Sequence, residues 1–321
     1  MSPVTSPAPP SAPRYRAKRN ARSEFVPVRG LNYHAMCWGD ASMVTPQKPA
    51  LVLAHGWMDV GASFQFVVDA LAAREGDGES EARYIIAPDW RGFGLTDAPA
   101  VDSYWFADYL GDLDALIDTF APNQVVDLLG HSMGGNVVMS YAGLRPTRIR
   151  KLINLEGFGM PATVPKQAPK RLVQWLDELK MPQAFNPYRN LDAVAHRLMK
   201  NNPRLSADKA AWLAPHWSRE GGDGQWHIQG DPAHKRVNPQ LYRVEEILET
   251  WKLISAPLLW VQGAQTDTAK WWGQRYTVAE FHERLSVVPQ AQREVLQDCG
   301  HMLHHDQPEA LAALLAAFLA A

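Results

Sequence analysis

The sequence predicts an α/β protein: a mostly parallel central sheet with helices on both faces, interrupted by a mainly helical insertion. Three observations predict it. Short apolar runs bounded by turn residues alternate with helically spaced stretches from about residue 50 to residue 155. That rhythm stops over 158–251 and resumes at Pro257. One strand-to-helix junction also carries Gly130-His131-Ser132-Met133-Gly134, a G-x-S-x-G turn.

The elements follow in order. The first segment, MSPVTSPAPPSAP, is rich in proline and serine and reads as disordered. A basic stretch with Arg14, Arg16, Lys18, Arg19 and Arg22 follows. It lacks the apolar core of a secretory signal, and its prolines oppose the amphipathic helix of a transit peptide. Residues 1–23 are therefore expected to be a plain disordered arm. Phe25 to Val28 and Leu31 to Trp38 read as two strands joined at Gly30. Ala50 to Ala54 (ALVLA) is apolar throughout, as a strand buried on both faces should be. Ser63 to Arg74 places Phe64, Val67, Val68 and Leu71 on one helical face, and Tyr84 to Ala87 is a further strand. Ser103 to Phe120 is a helix with Leu110, Leu113 and Ile117 on one stripe. Val125 to Leu129 is a strand, Asn136 to Leu144 a helix and Lys151 to Leu155 a strand.

Residues 158–251 contain helical stretches, Lys170 to Leu179 and Leu191 to Met199 among them, the tryptophans Trp175, Trp212, Trp217 and Trp226, and no clear strand. Strands return at Pro257 to Gln262 and Glu294 to Gln297, and a final helix opens near Pro308. The division expected is a core of 24–157 and 252–321 around a helical segment of 158–251.

Composition bounds the function. Of 321 residues, 46% are hydrophobic and 21% charged, as in a globular enzyme. A formal net charge of −2 gives no electrostatic basis for binding nucleic acid or an anionic membrane. No apolar run is long enough to span a bilayer. Cys37 and Cys299 are far apart and read as free thiols of a reducing, cytoplasmic setting. No CxxC or His/Cys cluster suggests a metal site, and no cofactor is expected.

The G-x-S-x-G turn carries the chemistry. A serine on a very sharp strand-to-helix turn projects its hydroxyl above the sheet. The residues two before and two after it are pressed together, so both must be very small, as Gly130 and Gly134 are. The helix that follows aims its N-terminus at the reaction centre, where its dipole favours developing negative charge.

With that turn in place the chain resembles the α/β-hydrolase superfamily, in the branch with a helical cap, from about Phe25 onward. Four motifs occur in the family's order. His55-Gly56-Trp57 follows an apolar strand; the resemblance implies that the amide of Trp57, with that of Met133 after the nucleophile, forms the oxyanion hole. His55 itself reads as a structural turn residue. Asp89-Trp90-Arg91-Gly92-Phe93-Gly94 resembles the family's D-x-R-G-x-G loop, read as scaffold with Trp90 a possible pocket wall. Pro257 to Gly263 followed by Ala264-Gln265-Thr266-Asp267 resembles the strand and loop that carry the triad acid. The commonest spacing sets the acid three residues after the glycine; here it is four. Asp267 is the expected acid, and Glu156, at the tip of the strand Lys151 to Leu155, is its rival. Gly300-His301 matches the family's terminal Gly-His, which makes His301 the base and leaves His304 and His305 surface or structural residues.

The resemblance thus implies Ser132 as nucleophile, Asp267 as orienting acid and His301 as general base. A serine at the elbow disfavours the dehalogenases and epoxide hydrolases of this fold, which use aspartate there. The function expected is hydrolysis of a carboxylic ester of a small or medium apolar substrate through an acyl-enzyme. A thioesterase or C–C bond hydrolase is the alternative within the fold, and a non-catalytic ligand-binding protein the alternative outside enzymes. Substrate identity and oligomeric state stay open.

Overall fold

A computed structural model describes residues 14–75 and 83–321. Ten strands alternate with eleven α-helices along the described residues. The first hairpin pairs β1 (Arg22–Val28) with β2 (Leu31–Trp38), turned at Arg29 and Gly30 with positive φ at both. Next come β3 (Leu51–Ala54), α1 (Gln65–Glu75), β4 (Ile85–Pro88) and α2 (Phe106–Phe120). Then follow β5 (Val126–His131), α3 (Met133–Leu144) and β6 (Ile149–Leu155).

The insertion holds α4 (Ala168–Leu179), α5 (Leu191–Asn201), α6 (Ala207–Trp217), β7 (Ser218–Glu220), β8 (Trp226–Ile228) and α7 (Val244–Trp251). The chain closes with β9 (Leu258–Gly263), α8 (Ala269–Trp272), α9 (Val278–Leu285), β10 (Ala291–Leu296), α10 (Leu303–Asp306) and α11 (Pro308–Ala320).

Eight strands form one sheet in the order β1-β2-β4-β3-β5-β6-β9-β10. β1 and β2 are antiparallel to their neighbours, and the pairs from β4 to β10 are parallel. A parallel strand covered by helices on both faces has no solvated side, which is why β3 and β4 are buried at every position. Successive residues serve opposite layers: Val52, Leu128, Leu152 and Leu258 pack toward α2 and α3, and Leu53, Leu129, Ile153 and Leu259 toward α1 and α11.

Three differences from the sequence reading have local causes. The helix expected from Ser103 starts at Phe106, because Trp105 is extended (φ −100°, ψ 139°). The helix expected from Asn136 starts at Met133: Gly134 and Gly135 are weak helix formers, but contact with neighbouring backbone holds them there. The insertion does contain strands, the three-residue pair β7 and β8, too short to show a period of two.

The basic arm also departs from expectation. Residues 1–13 lie outside the described residues, but the stretch from Arg14 is docked on the core and is not a disordered arm. Buried Asp69 accepts from the Tyr15 hydroxyl at 2.7 Å and from the amides of Lys18 and Arg19 at 3.0 and 2.8 Å. Tyr15 also packs edge-on against Phe66 and Trp212. Both cysteines are free and buried. Among the described residues no helix is long and apolar enough to cross a membrane.

Candidate active site

The site forms where β5, β6 and β9 end side by side. Parallel strands bring their C-terminal tips to one edge, and each tip delivers a different part.

β5 delivers Ser132. Its backbone lies at φ 53°, ψ −113°, a conformation that L-residues rarely adopt and that costs on the order of 1–3 kcal/mol. The turn is held by the Ser132 amide donating to the Leu155 carbonyl at 2.8 Å and by the Asn136 amide donating to the Ser132 carbonyl at 3.1 Å. The glycines meet the demand read from the sequence. A Cβ on Gly130 would collide with the carbonyl of Gly134, and one on Gly134 with the carbonyls of Ala54 and His55.

β6 delivers Glu156, also at positive φ (55°) and 1% exposed. A buried carboxylate needs donors, and this one has three. Oε1 accepts from the amide of Gly263, the last residue of β9, at 2.7 Å and from the hydroxyl of Thr266, just beyond it, at 2.6 Å. Oε2 lies 2.6 Å from Nδ1 of His301.

His301 follows β10 on the loop before α10. Its Nε2 stands 3.0 Å from the Ser132 Oγ. With Nδ1 protonated and donating to Glu156, Nε2 presents a lone pair to the serine hydroxyl. One face of the imidazole meets Trp271 edge-on at 4.6 Å.

The structure brings Ser132 and His301 together as the sequence reading expected. It does not bring Asp267 to them. The exposed Asp267 side chain accepts from the Ala269 amide at 3.1 Å, capping the start of α8. The carboxylate on Nδ1 is Glu156, so the acid position assigned to Asp267 is corrected to Glu156. The reason is visible in the loop: the residue three after Gly263, at the commonest acid spacing, is Thr266, and its hydroxyl binds the Glu156 carboxylate. A neutral hydroxyl at that position was the available signal.

The two expected oxyanion donors, Met133 and Trp57, belong to segments next to Ser132. Met133 is the first residue of α3, where an amide has no partner within its own helix. The His55-Gly56-Trp57 turn crosses close above the elbow: a Cβ on Gly56 would lie 3.2 Å from the Cβ of Ser132. The Trp57 side chain is 52% exposed. His55 is wholly buried and has two partners, the Gly56 carbonyl on Nδ1 at 2.7 Å and the Trp90 amide on Nε2 at 2.8 Å. Trp90 is likewise buried, donating from its indole to the His55 carbonyl at 2.9 Å; it braces the turn and is not a pocket wall.

The 89–94 loop is held in several directions. Asp89 accepts from the Gly61 and Leu95 amides, at 2.7 and 2.9 Å, and Arg91 forks onto Asp112 at 2.5 and 2.6 Å. The insertion docks here: Asp231 donates its amide to the Gly92 carbonyl at 2.8 Å, and His234 stacks between Phe93 and Tyr104. His304 and His305, expected at the surface or in a structural role, are both buried. They lie near the elbow, where His304 comes together with Asp59 and His131.

Comparison with known proteins agrees with this fold. Residues 49–308 match the family described as alpha/beta hydrolase fold. A 3-hydroxybutyrate-oligomer hydrolase of Cupriavidus necator is 30% identical over 285 residues, covering 84% of this chain and 86% of that protein. A 2-hydroxymuconate semialdehyde hydrolase of Pseudomonas putida is 27% identical over 250 residues, covering 75% and 78%. Among solved structures, the thioesterase domain from the curacin biosynthetic pathway superposes with a TM-score of 0.77 at 26% identity, covering 93% of this chain and 99% of that one.

Proposed function

The chain belongs to the α/β-hydrolase family, and from that premise we propose that it is a serine hydrolase cleaving a carboxylic ester of a small or medium apolar substrate through an acyl-enzyme. The observation that carries this reading is the hydrogen-bonded line from Ser132 Oγ through His301 to Glu156, 3.0 and then 2.6 Å long.

The steps follow from which atoms face each other. His301 Nε2 takes the hydroxyl proton as Ser132 Oγ attacks the ester carbonyl carbon. Glu156 keeps the proton of Nδ1 in place and balances the positive charge of the imidazolium that forms. The oxyanion is received by the amides of Trp57 and Met133, the second at the positive end of the α3 dipole. His301 then gives its proton to the departing alkoxide, leaving Ser132 acylated. Water, deprotonated by the same nitrogen, attacks the acyl carbon, and His301 returns that proton to the departing Ser132 Oγ, releasing the acid and the free enzyme.

The relative named for 3-hydroxybutyrate oligomers supports an ester, since one hydroxy acid joined through its hydroxyl to the carboxyl of the next is an ester. The fold likeness to a thioesterase domain favours a second reading, thioester hydrolysis, which uses the same acyl-enzyme. Turnover of p-nitrophenyl esters and of acyl thioesters with short and medium chains separates the two. Ester turnover by the wild type, lost in Ser132→Ala, supports the proposal. Equal rates for wild type and Ser132→Ala across the series would favour a ligand-binding role.

A further inference from the structure

Next to the elbow, three buried side chains bring ligand-type atoms close to one another. Asp59, His131 and His304 are 4%, 2% and 0% exposed, and one ligand-type atom from each lies within 4.8 Å of the other two. The sequence gives no hint of the group, because its members come from the loop after β3, the end of β5 and α10.

Two of the three have their other polar atom committed. Asp59 Oδ1 accepts from the Val60 amide at 2.9 Å and from the Ser63 hydroxyl, which leaves Oδ2 buried without a hydrogen bond. His131 Nε2 lies 2.8 Å from the carbonyl oxygen of His301 and must donate to it, so the ring proton is on Nε2. Nδ1 then carries a lone pair, buried and unpartnered. Both ring nitrogens of His304 are buried and unpartnered.

The spacing of these atoms decides what they suit. His304 Nε2 and Asp59 Oδ2 are 3.7 Å apart, too far for a hydrogen bond. Two ligands on one tetrahedral ion, each about 2.0–2.1 Å from it, stand roughly 3.3 Å apart. For the His304–Asp59 pair the gap is a few tenths of an ångström above that and closes with small side-chain rotations; within the group the separations reach no more than 4.8 Å. The second contacts are also those of metal ligands: a histidine that gives its distal N–H to a backbone carbonyl, and a carboxylate whose other oxygen is tied down.

We propose that Asp59, His131 and His304 form a binding site for a divalent transition metal ion of the zinc class, seated next to the elbow. Asp59 Oδ2, His131 Nδ1 and His304 Nε2 are the ligands, with the fourth position left to a small ligand. The ion would brace the site, because His131 precedes Ser132 in the chain and holds the His301 carbonyl through its other nitrogen. The inference is independent of the ester reaction.

The test is Zn(II) binding to the full chain after removal of metal by chelation, measured by competition with a chromophoric chelator, with Co(II) as a spectroscopic probe. We expect one tight equivalent, a four-coordinate Co(II) visible band and a rise in Tm on loading. His304→Gln and Asp59→Asn should each weaken Zn(II) by more than about 100-fold, beyond the 10–100-fold that loss of an outer partner costs. Ser63→Ala should fall within that smaller range. Ser132→Ala and His227→Ala, at the nucleophile and at the exposed His227–Asp223 pair, should bind as the wild type does. Unchanged binding in both ligand variants, or no tight equivalent in the folded wild type, overturns the proposal. Should the ligand variants fail to fold, X-ray absorption of the Zn(II)-loaded wild type decides: two imidazoles and a carboxylate oxygen support the site, and any other ligand set overturns it.

Discussion

The hydroxyl of Thr266 donates to Oε1 of Glu156 over 2.6 Å, from the loop position where the family most often carries its acid. The carboxylate that meets His301 stands at the tip of β6, and the residue at the commoner acid position beyond β9 supports it. β6 lies between β5 and β9, so a side chain at its tip reaches the same imidazole from next to the nucleophile.

Glu156→Gln should therefore lower kcat by roughly 10³ to 10⁴-fold, because an amide can neither hold the required tautomer nor balance the imidazolium. Asp267→Asn should leave kcat close to wild type. Steady-state kinetics on a p-nitrophenyl ester reads both; the larger loss in Asp267→Asn would return the acid to position 267.

Much of this was legible in the sequence for physical reasons, and what was not has reasons too. The order of sheet and helix, the elbow and the terminal Gly-His are local patterns whose spacing is set by sterics. The partnership of Glu156 with His301 spans 145 residues and depends on β6 and β10 ending at the same sheet edge on either side of β9, which no local pattern encodes. The docked arm was missed because a stretch rich in arginine and proline gives no sign that a buried aspartate, Asp69, lies where Tyr15 can reach it. The cluster of Asp59, His131 and His304 is likewise assembled only by the fold.

Gly134→Ala should cost at least about 2 kcal/mol of stability, since its Cβ would press into the backbone of Ala54 and His55 rather than into a yielding side chain. Urea denaturation checks it. A variant as stable as the wild type would mean that the turn is looser than described.

Stability should fall with acid through the buried histidines. His234, stacked between Phe93 and Tyr104, is pushed down to about 4 by burial, and burial also lowers His131 and His305. The unfolded chain, with imidazoles near about 6.5, takes up protons that the folded chain refuses. The stabilisation from His234 is therefore complete above pH ~6.5 and is lost as pH falls toward about 4. Urea denaturation at stepped pH should show that decline. His234→Phe, which keeps the stacking, should flatten it; an unchanged slope would show that His234 is not titrating as described.

Tyr15→Phe should destabilise the fold by about 1–2 kcal/mol, through loss of a hydrogen bond to the buried Asp69 carboxylate. Thermal unfolding reads the change. No shift in Tm would mean that the arm is not anchored there in solution.

The central claim is that the Ser132 hydroxyl is activated by His301. The most direct measurement is labelling of the purified, folded protein with a fluorophosphonate, followed by peptide mapping. One equivalent of label is expected on Ser132, forming orders of magnitude more slowly in His301→Ala. A folded wild type that stays unlabelled at Ser132, or one whose labelling does not depend on His301, would contradict it.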